Sequence, residues 1–169
     1  MTPLLFTGCE QISWPPALAT PAVSAETGYQ WYDVVSVIDG DTFRIEADDE
    51  LIRVRLIGVD TPESANPDSS LNTEEGRIAS AYTKGLLDGQ RVRLEFDVSR
   101  EDKYGRYLAY VYLESGEMVN ELLLKNGYAR VMTVPPDVKY ANHFVALQQQ
   151  ARASGAGFWA DVWSEDTNA

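Results

Sequence analysis

The chain has 169 residues, which is enough for one well-buried domain with a tail and too few for two ordinary domains. Its single cysteine and single histidine exclude an intrachain disulfide, a cysteine-based zinc site and a multi-histidine metal site. The net charge of −12 argues against broad nonspecific attraction to nucleic acid and favours solubility in a salty or extracellular setting. It does not exclude a nucleic-acid substrate, because a local group of cations with a bound metal can reverse the potential at one site.

Residues 1–30 are predicted to form a flexible N-terminal segment, because Thr, Ala, Pro and Ser dominate from Trp14 to Thr27 without any periodicity. The short apolar run that ends in Gly8-Cys9 resembles the end of a bacterial lipoprotein signal, whose cysteine becomes lipid-modified. No lysine or arginine precedes this run, and an incidental cysteine in a flexible segment is the alternative. The first interpretation predicts a secreted or membrane-anchored protein, tethered through Cys9.

The folded domain is predicted to cover residues 31–163, followed by a tail at 164–169. Apolar residues that alternate with polar ones are typical of half-buried strands. The first three runs of this kind are Trp31–Val37, Thr42–Ala47 and Leu51–Val59. Alternation at 92–96 predicts a fourth strand, and the aromatic and β-branched residues of Tyr107–Leu113 predict a fifth. A short strand is expected at Tyr128–Met132.

Three helices are predicted in the same domain. The first begins after Thr73, carries an apolar stripe at Ile78, Tyr82 and Leu86, and ends at Gly89. The second covers Met118–Lys125. The third has its apolar stripe at Tyr140, Phe144, Leu147 and Ala151, and the aromatic residues that follow are expected to fold back on the barrel: Phe158, Trp159 and Trp163. The fold class is therefore α+β, mainly β with helices, in which a five-stranded OB-type barrel carries three α-helices.

Acidic residues flank the second and third predicted strands. Asp41 precedes the second strand, and Asp60 and Glu63 follow the third. If these strands pair in an antiparallel manner, the carboxylates approach one end of the sheet. Arg55 then points to the face opposite Val54 and Leu56, because successive side chains of a strand alternate. Gathered carboxylates need a cation, and a hard divalent cation prefers oxygen ligands. The stretch therefore predicts a metal-dependent site for phosphoryl chemistry.

Other readings of these acids fail on neighbouring residues. A helix-loop-helix calcium loop starting at Asp39 needs an oxygen ligand at its fifth position and glycine at its sixth, where Phe43 and Arg44 stand. Two Asp-Thr pairs are also found in aspartic proteases, but a small residue must follow each pair, and Phe43 and Pro62 stand there. The single histidine, His143, lies in a polar helical stretch and is predicted to be a surface or packing residue.

Four motifs in this order give the chain a resemblance to the thermonuclease (staphylococcal nuclease-like) family from about residue 34 to 159. They are Ile38-Asp39-Gly40-Asp41-Thr42, Val59-Asp60-Thr61-Pro62-Glu63, Asp102-Lys103-Tyr104-Gly105-Arg106 and Met118-Val119-Asn120-Glu121. The resemblance implies an OB-fold barrel with three helices and calcium-dependent hydrolysis of DNA and RNA. No protein partner is implied, and a monomer is expected.

The resemblance also implies roles for individual residues. By this resemblance, Asp41, Asp60 and the Thr61 carbonyl are calcium ligands, and Glu63 is the general base. Arg55 and Arg106 are the catalytic arginines, and Lys103 and Tyr104 contact the phosphate of the nucleotide. A packing or turn role is the alternative for Tyr104. A carboxylate near the attacking water and two guanidinium groups around the phosphate are also what phosphodiester hydrolysis requires on chemical grounds.

The chain departs from the family pattern at two places. Thr133 and Pro135 stand where the family has two tyrosines that line the nucleotide pocket, and the loop at 64–70 lacks the family's lysines and carries Asp68. We therefore expect weaker substrate binding or an altered base preference. The alternative to an enzyme is a noncatalytic OB module that binds nucleic acid or protein. Such a module is free to lose Glu63 or either arginine, yet all three residues are present.

Overall fold

The computed structural model describes residues 29–163, so the predictions for Cys9 and for both terminal segments lie outside the described residues. The strands are β1 (Trp31–Asp39), β2 (Thr42–Ala47), β3 (Glu50–Leu56), β4 (Gly58–Asp60), β5 (Arg91–Glu95), β6 (Tyr107–Leu113) and β7 (Arg130–Met132). The α-helices are α1 (Glu74–Leu87), α2 (Val119–Lys125) and α3 (Ala141–Ser154). Short 3₁₀ turns lie at Ser69–Leu71 and Gly157–Trp159.

Five strands close into a barrel in the order β1-β2-β3-β6-β5, which confirms the predicted fold class. β3 and β6 run parallel, whereas the other neighbouring pairs of the barrel are antiparallel. The period-two pattern places Phe43 and Ile45 of β2, and Val54 and Leu56 of β3, inside the barrel, where each is at most 2% exposed. Burial of this apolar interior is the main force that closes the barrel.

The prediction of one continuous strand at Leu51–Val59 is wrong. β3 ends at Leu56, and the chain begins a separate two-stranded sheet in which β4 pairs with β7. Gly58 has a φ of 77°, and a Cβ at this position would lie 2.7 Å from the Phe144 ring, so the break requires glycine. After the break, the backbone of Asp60 pairs with Arg130 of β7 instead of with a barrel strand.

Helix α1 begins as predicted, since Thr73 caps it by accepting a hydrogen bond from the Gly76 backbone N–H at 3.0 Å. Its predicted apolar stripe is wrong at Ile78, which is 42% exposed. The fully or nearly buried positions are instead Gly76, Ala79, Thr83 and Leu87. These residues are small or polar for the most part, because the helix lies close against backbone that a larger side chain would displace.

Two contacts of this buried face reach the acidic motifs. A Cβ at Gly76 would lie 2.0 Å from the carbonyl oxygen of Glu63, and the Thr83 hydroxyl donates a 2.6 Å hydrogen bond to the carbonyl of Gly40. Helix α1 therefore holds the turn before β2 and the segment after β4 on one side of the barrel.

Helix α2 is joined to the barrel by the fully buried Asn120. Its amide nitrogen donates to the Ile57 carbonyl at 2.8 Å, and its amide oxygen accepts from the Val111 backbone N–H at 3.0 Å. Both bonds satisfy backbone groups that would otherwise be buried without partners, at a cost of about 1–3 kcal/mol each.

The aromatic residues after α3 are buried as expected, but their contacts differ from the prediction. Phe158, Trp159 and Trp163 form a second apolar cluster with Ala79 of α1 and Ala151 of α3, separate from the barrel interior. They stabilise the packing of the helices. Within residues 29–163, no helix combines the length and the apolar character needed to cross a membrane.

Candidate active site

The Asp41 carboxylate is buried at the start of β2, where several groups hold it. Its Oδ2 accepts from the backbone N–H and the hydroxyl of Thr61, at 3.1 and 3.2 Å, and its Oδ1 accepts from the Thr42 hydroxyl at 3.0 Å. Burial raises the pKa of Asp41, while Arg55 and these hydrogen bonds act in the opposite direction. The turn before β2 and the segment after β4 are thereby connected through one carboxylate.

The guanidinium of Arg55 lies between two carboxylates. Its Nη1 is 2.5 Å from Asp41 Oδ2, and its Nη2 is 3.0 Å from Asp60 Oδ1. The Nη1 contact is an ion pair between largely buried groups. The register of β2 and β3, in which Thr42 faces Arg55, places the arginine beside Asp41. Asp41 and Asp60, nineteen positions apart in the sequence, thus contact the same guanidinium.

Asp39, which is not among the predicted site residues, holds the same region in place through its carboxylate. Its Oδ1 accepts from the Gly40 backbone N–H at 2.8 Å and from the Ser64 hydroxyl at 2.6 Å. The Ser64 contact fixes the residue next to Glu63. The available sequence signal was the Asp-Gly pair, which by itself indicates only a turn.

Glu63 lies in the same acidic region. Burial, followed by the nearby carboxylates of Asp39, Asp41 and Asp60, raises its pKa above the ordinary value, and a hydrogen bond from Asn66 opposes this. Its backbone carbonyl accepts from the Thr73 N–H at 2.9 Å, which ties it to the start of α1. Within the part of the chain that the structure describes, no group of three or more Asp, Glu, His or Cys side chains is already arranged as a metal site.

Arg106 lies at the start of the segment leading into β6, and Asp102 orients it. The Nε of Arg106 is 2.7 Å from Asp102 Oδ2, and its backbone N–H donates to Asp102 Oδ1 at 3.0 Å. Tyr104 also donates its backbone N–H to Asp102 Oδ1, at 2.8 Å. Burial alone would raise the pKa of Asp102, but these hydrogen bonds lower it below the ordinary value.

Arg55 and Arg106 line one pocket of about 180 Å³. Its other lining residues include Asp102 and Asp137, with an apolar remainder of Leu56, Ile57, Gly58, Val59, Leu108, Met132 and Val134. The end of β7 thus contributes Met132 to the wall, and the segment that follows contributes Val134. No aromatic side chain lines this pocket among the described residues, which agrees with the departures at Thr133 and Pro135.

The remaining predicted site residues lie beside this pocket. Tyr104 is 62% exposed. The centroid of its ring lies 5.0 Å from Lys103 Nζ and 5.6 Å from the Arg106 guanidinium carbon. Neither Lys103 nor Tyr104 lines the pocket that holds both arginines.

His143 is exposed and contacts Glu121 at 2.9 Å, as a surface residue would.

Comparisons with known proteins agree with this geometry. A family model described as staphylococcal nuclease homologue matches residues 53–161. The chain is 42% identical over 132 residues to a thermonuclease of Staphylococcus hyicus, covering 78% of this chain and 77% of that protein. It is 47% identical over 128 residues to a thermonuclease of Staphylococcus intermedius, covering 76% and 75%. It is also 42% identical over 125 residues to endonuclease YncB of Bacillus subtilis (strain 168), covering 73% and 58%. A family match of this extent, on a closed barrel with these motifs, shows that the chain belongs to the staphylococcal nuclease homologue family.

Proposed function

We propose that this nuclease is calcium-dependent and hydrolyses phosphodiester bonds of DNA and RNA by metal-assisted attack of water. The relatives named thermonuclease and endonuclease support hydrolysis of nucleic acid by this chain. The observation that carries the finer proposal is the convergence of Asp41 and Asp60 on the Arg55 guanidinium, which shares its pocket with Arg106.

The donor set fits a hard divalent cation. The two carboxylates and the Thr61 carbonyl are all oxygen donors, the type that calcium prefers. The carboxylates already face one cation, the guanidinium, so positive charge at this place is favourable. Asp41, Asp60 and Thr61 would hold the ion, which when bound polarises the phosphate and fixes its orientation.

Glu63 acts as the general base and takes a proton from the attacking water. Its position supports this role, because Ser64 and α1 hold its backbone next to the three other acids. The water oxygen forms a bond to phosphorus as the ester P–O bond breaks, and the leaving oxygen takes a proton from solvent. General-base catalysis of this kind contributes roughly 10²–10⁴ in rate.

Arg55 and Arg106 stabilise the charge that builds on the phosphate oxygens in a phosphorane-like transition state. The planar guanidinium has a fork of donors that matches phosphate geometry. Arg106 is preorganised by Asp102, so little reorientation is needed when substrate arrives. Loss of one such donor costs about 3–4 kcal/mol of transition-state stabilisation.

Lys103 and Tyr104 contact the nucleotide phosphate at the edge of the pocket. Because no aromatic side chain within residues 29–163 lines the pocket, base stacking worth about 1–3 kcal/mol per base is lost there. We therefore propose weaker substrate binding, or an altered base preference, rather than altered chemistry.

A nuclease assay on single- and double-stranded DNA and on RNA, with calcium or with a chelator, tests the proposal. We expect cleavage of both nucleic acids at millimolar calcium and none after chelation. Uncut substrates at millimolar calcium would remove the nuclease assignment, whereas cleavage that survives chelation would remove the metal assignment alone.

Export, with a tether through Cys9, is a separate proposal that concerns residues outside the described range. Mass spectrometry of the mature chain from native cells tests it directly. A lipid adduct on Cys9 is the expected result, and an unmodified thiol on the mature protein would refute the tether.

A further inference from the structure

Two exposed arginines face each other on the outside of the barrel. Arg44 of β2 and Arg53 of β3 are direct partners in the antiparallel register, and both are exposed. Like charges placed directly opposite each other in a sheet are unfavourable. The arrangement stands out in a chain whose net charge is −12. A residue pair that opposes stability is typical of a functional site, so we interpret the two arginines as a binding feature.

Neither arginine of this pair, Arg44 and Arg53, has an ion pair with a carboxylate in the described chain. Arg44 Nη1 contacts the Ser36 hydroxyl at 3.4 Å, and Arg53 Nη2 donates to the Tyr104 carbonyl at 3.1 Å. In contrast, four other arginines are paired with acids, namely Arg55, Arg77, Arg91 and Arg106. Exposed Arg100 lies over the rings of Phe96 and Tyr107. The outer arginine pair therefore keeps its positive charge available to a ligand.

The outer arginine pair is continuous with the proposed catalytic pocket. Arg53, Tyr104 and Arg106 line a depression of about 250 Å³, and Arg106 also lines the pocket that contains Arg55. Arg53 and Arg55 lie on the same face of β3, two residues apart, which corresponds to about 6.6 Å. A path of cations thus leads from the pocket over β3 to Arg44 on β2.

We propose that Arg44 and Arg53 bind backbone phosphates of a nucleic-acid strand that extends beyond the nucleotides at the cleaved bond. The inference rests on the proposed function and adds that the preferred substrate is a polynucleotide lying across the outer face of β2 and β3. Guanidinium groups suit phosphate, and such contacts position a strand without reading its sequence. Exposed Glu46, two residues beyond Arg44 on the same face of β2, repels phosphate and limits the site at that end.

The first test is binding of a fluorescent single-stranded DNA of about 16 nucleotides in chelating buffer over a series of salt concentrations. Each phosphate contact on a single strand adds about 0.7 to the slope of log K against log salt. The double variant Arg44→Gln/Arg53→Gln should therefore bind several-fold more weakly, with a slope smaller by about 1.4. Each single variant should lower the slope by about 0.7.

The matched control is Arg77→Gln/Lys84→Gln, which removes two exposed cations from α1. It should leave the slope and the affinity close to those of the wild type. An unchanged slope in the outer-pair variant would overturn the inference, and so would an equal loss in the α1 control, since the effect would then be one of net charge.

Cleavage kinetics separate an extended contact from one at the cleaved bond. The outer-pair variant should show a several-fold higher KM for the long strand, with kcat and cleavage of a dinucleotide unchanged. An equal loss on the dinucleotide would overturn the inference. Because the binding test needs no cleavage, failure of the nuclease proposal and failure of this inference give different results. The melting temperature of the variant should change little, because relief of the like-charge pair offsets loss of the exposed hydrogen bond from Arg53 to the Tyr104 carbonyl.

Discussion

Arg55 Nη1 lies 2.5 Å from Asp41 Oδ2, so an arginine proposed to stabilise the phosphate neutralises a carboxylate proposed to bind calcium. Asp60 contacts the same guanidinium at 3.0 Å. A divalent ion at the two carboxylates must therefore compete with this pairing. Metal binding and the position of Arg55 are coupled as a result, which makes the arginine a sensitive place to test the site.

Arg55→Ala should lower kcat by roughly 10²–10³-fold, because it removes one preorganised donor to the transition state. The same variant should bind calcium more tightly than the wild type, since the ion no longer displaces a guanidinium from the two carboxylates. Steady-state kinetics and isothermal titration calorimetry measure the two effects. Circular dichroism should show that the variant stays folded. Near-normal turnover would exclude Arg55 from the mechanism, and weaker calcium binding would contradict the competition.

Glu63→Gln should lower kcat by roughly 10²–10⁴-fold while calcium affinity changes little, because the variant keeps the shape of the side chain but cannot accept the proton. Single-turnover cleavage at saturating calcium measures the chemical step, and titration calorimetry measures the metal affinity. Glu75→Gln, at a half-buried position in the first turn of α1, is a suitable control with the same charge change. A variant that cleaves at the wild-type rate would require another base.

Asp102→Ala should lower kcat by less than Arg106→Ala does, because Asp102 is a positioning residue that acts through the arginine. In a double-mutant cycle, the two substitutions should not add: once Arg106 is absent, removal of Asp102 should change kcat little. Asp102→Asn, which keeps an acceptor for the backbone N–H groups, should recover part of the activity. Additive losses would show that Asp102 acts independently of Arg106.

Glu95 should contribute to stability at neutral pH and lose this contribution in acid. Burial alone would raise its pKa, but hydrogen bonds from Lys139, Tyr112 and Tyr140 hold the pKa below the ordinary value. A group whose pKa is lower in the folded state stabilises the protein above its unfolded pKa of about 4.3, and this stabilisation disappears as the pH falls through the folded pKa.

The corresponding measurement is urea unfolding of the wild type and of Glu95→Gln at pH 7 and at several values below pH 4.5. The difference in free energy of unfolding between the two proteins should be largest at pH 7 and should shrink as the pH falls. A difference that grows in acid would have the wrong sign for a lowered pKa.

The sequence by itself determined β2, whose apolar residues alternate with polar ones, and β6, which is rich in aromatic and β-branched residues, and hence the class of the barrel. It also indicated the acidic motifs and the two arginines as one candidate site. The strand predictions succeed because the period and the residue preferences of a strand are local properties, and the chemistry of a short motif is local as well.

Tertiary structure alone decided the features that depend on distant neighbours. The strand breaks at Gly58, where the Phe144 ring leaves no room for a Cβ. The buried face of α1 is the one that lies close to the backbone of Glu63 and Gly40, and it is not the face that carries the apolar residues. The parallel pairing of β3 with β6 joins Arg53 to the segment of Arg106, some fifty residues away. Helical periodicity is compatible with more than one buried face, and the structure that packs against the helix determines which face is buried.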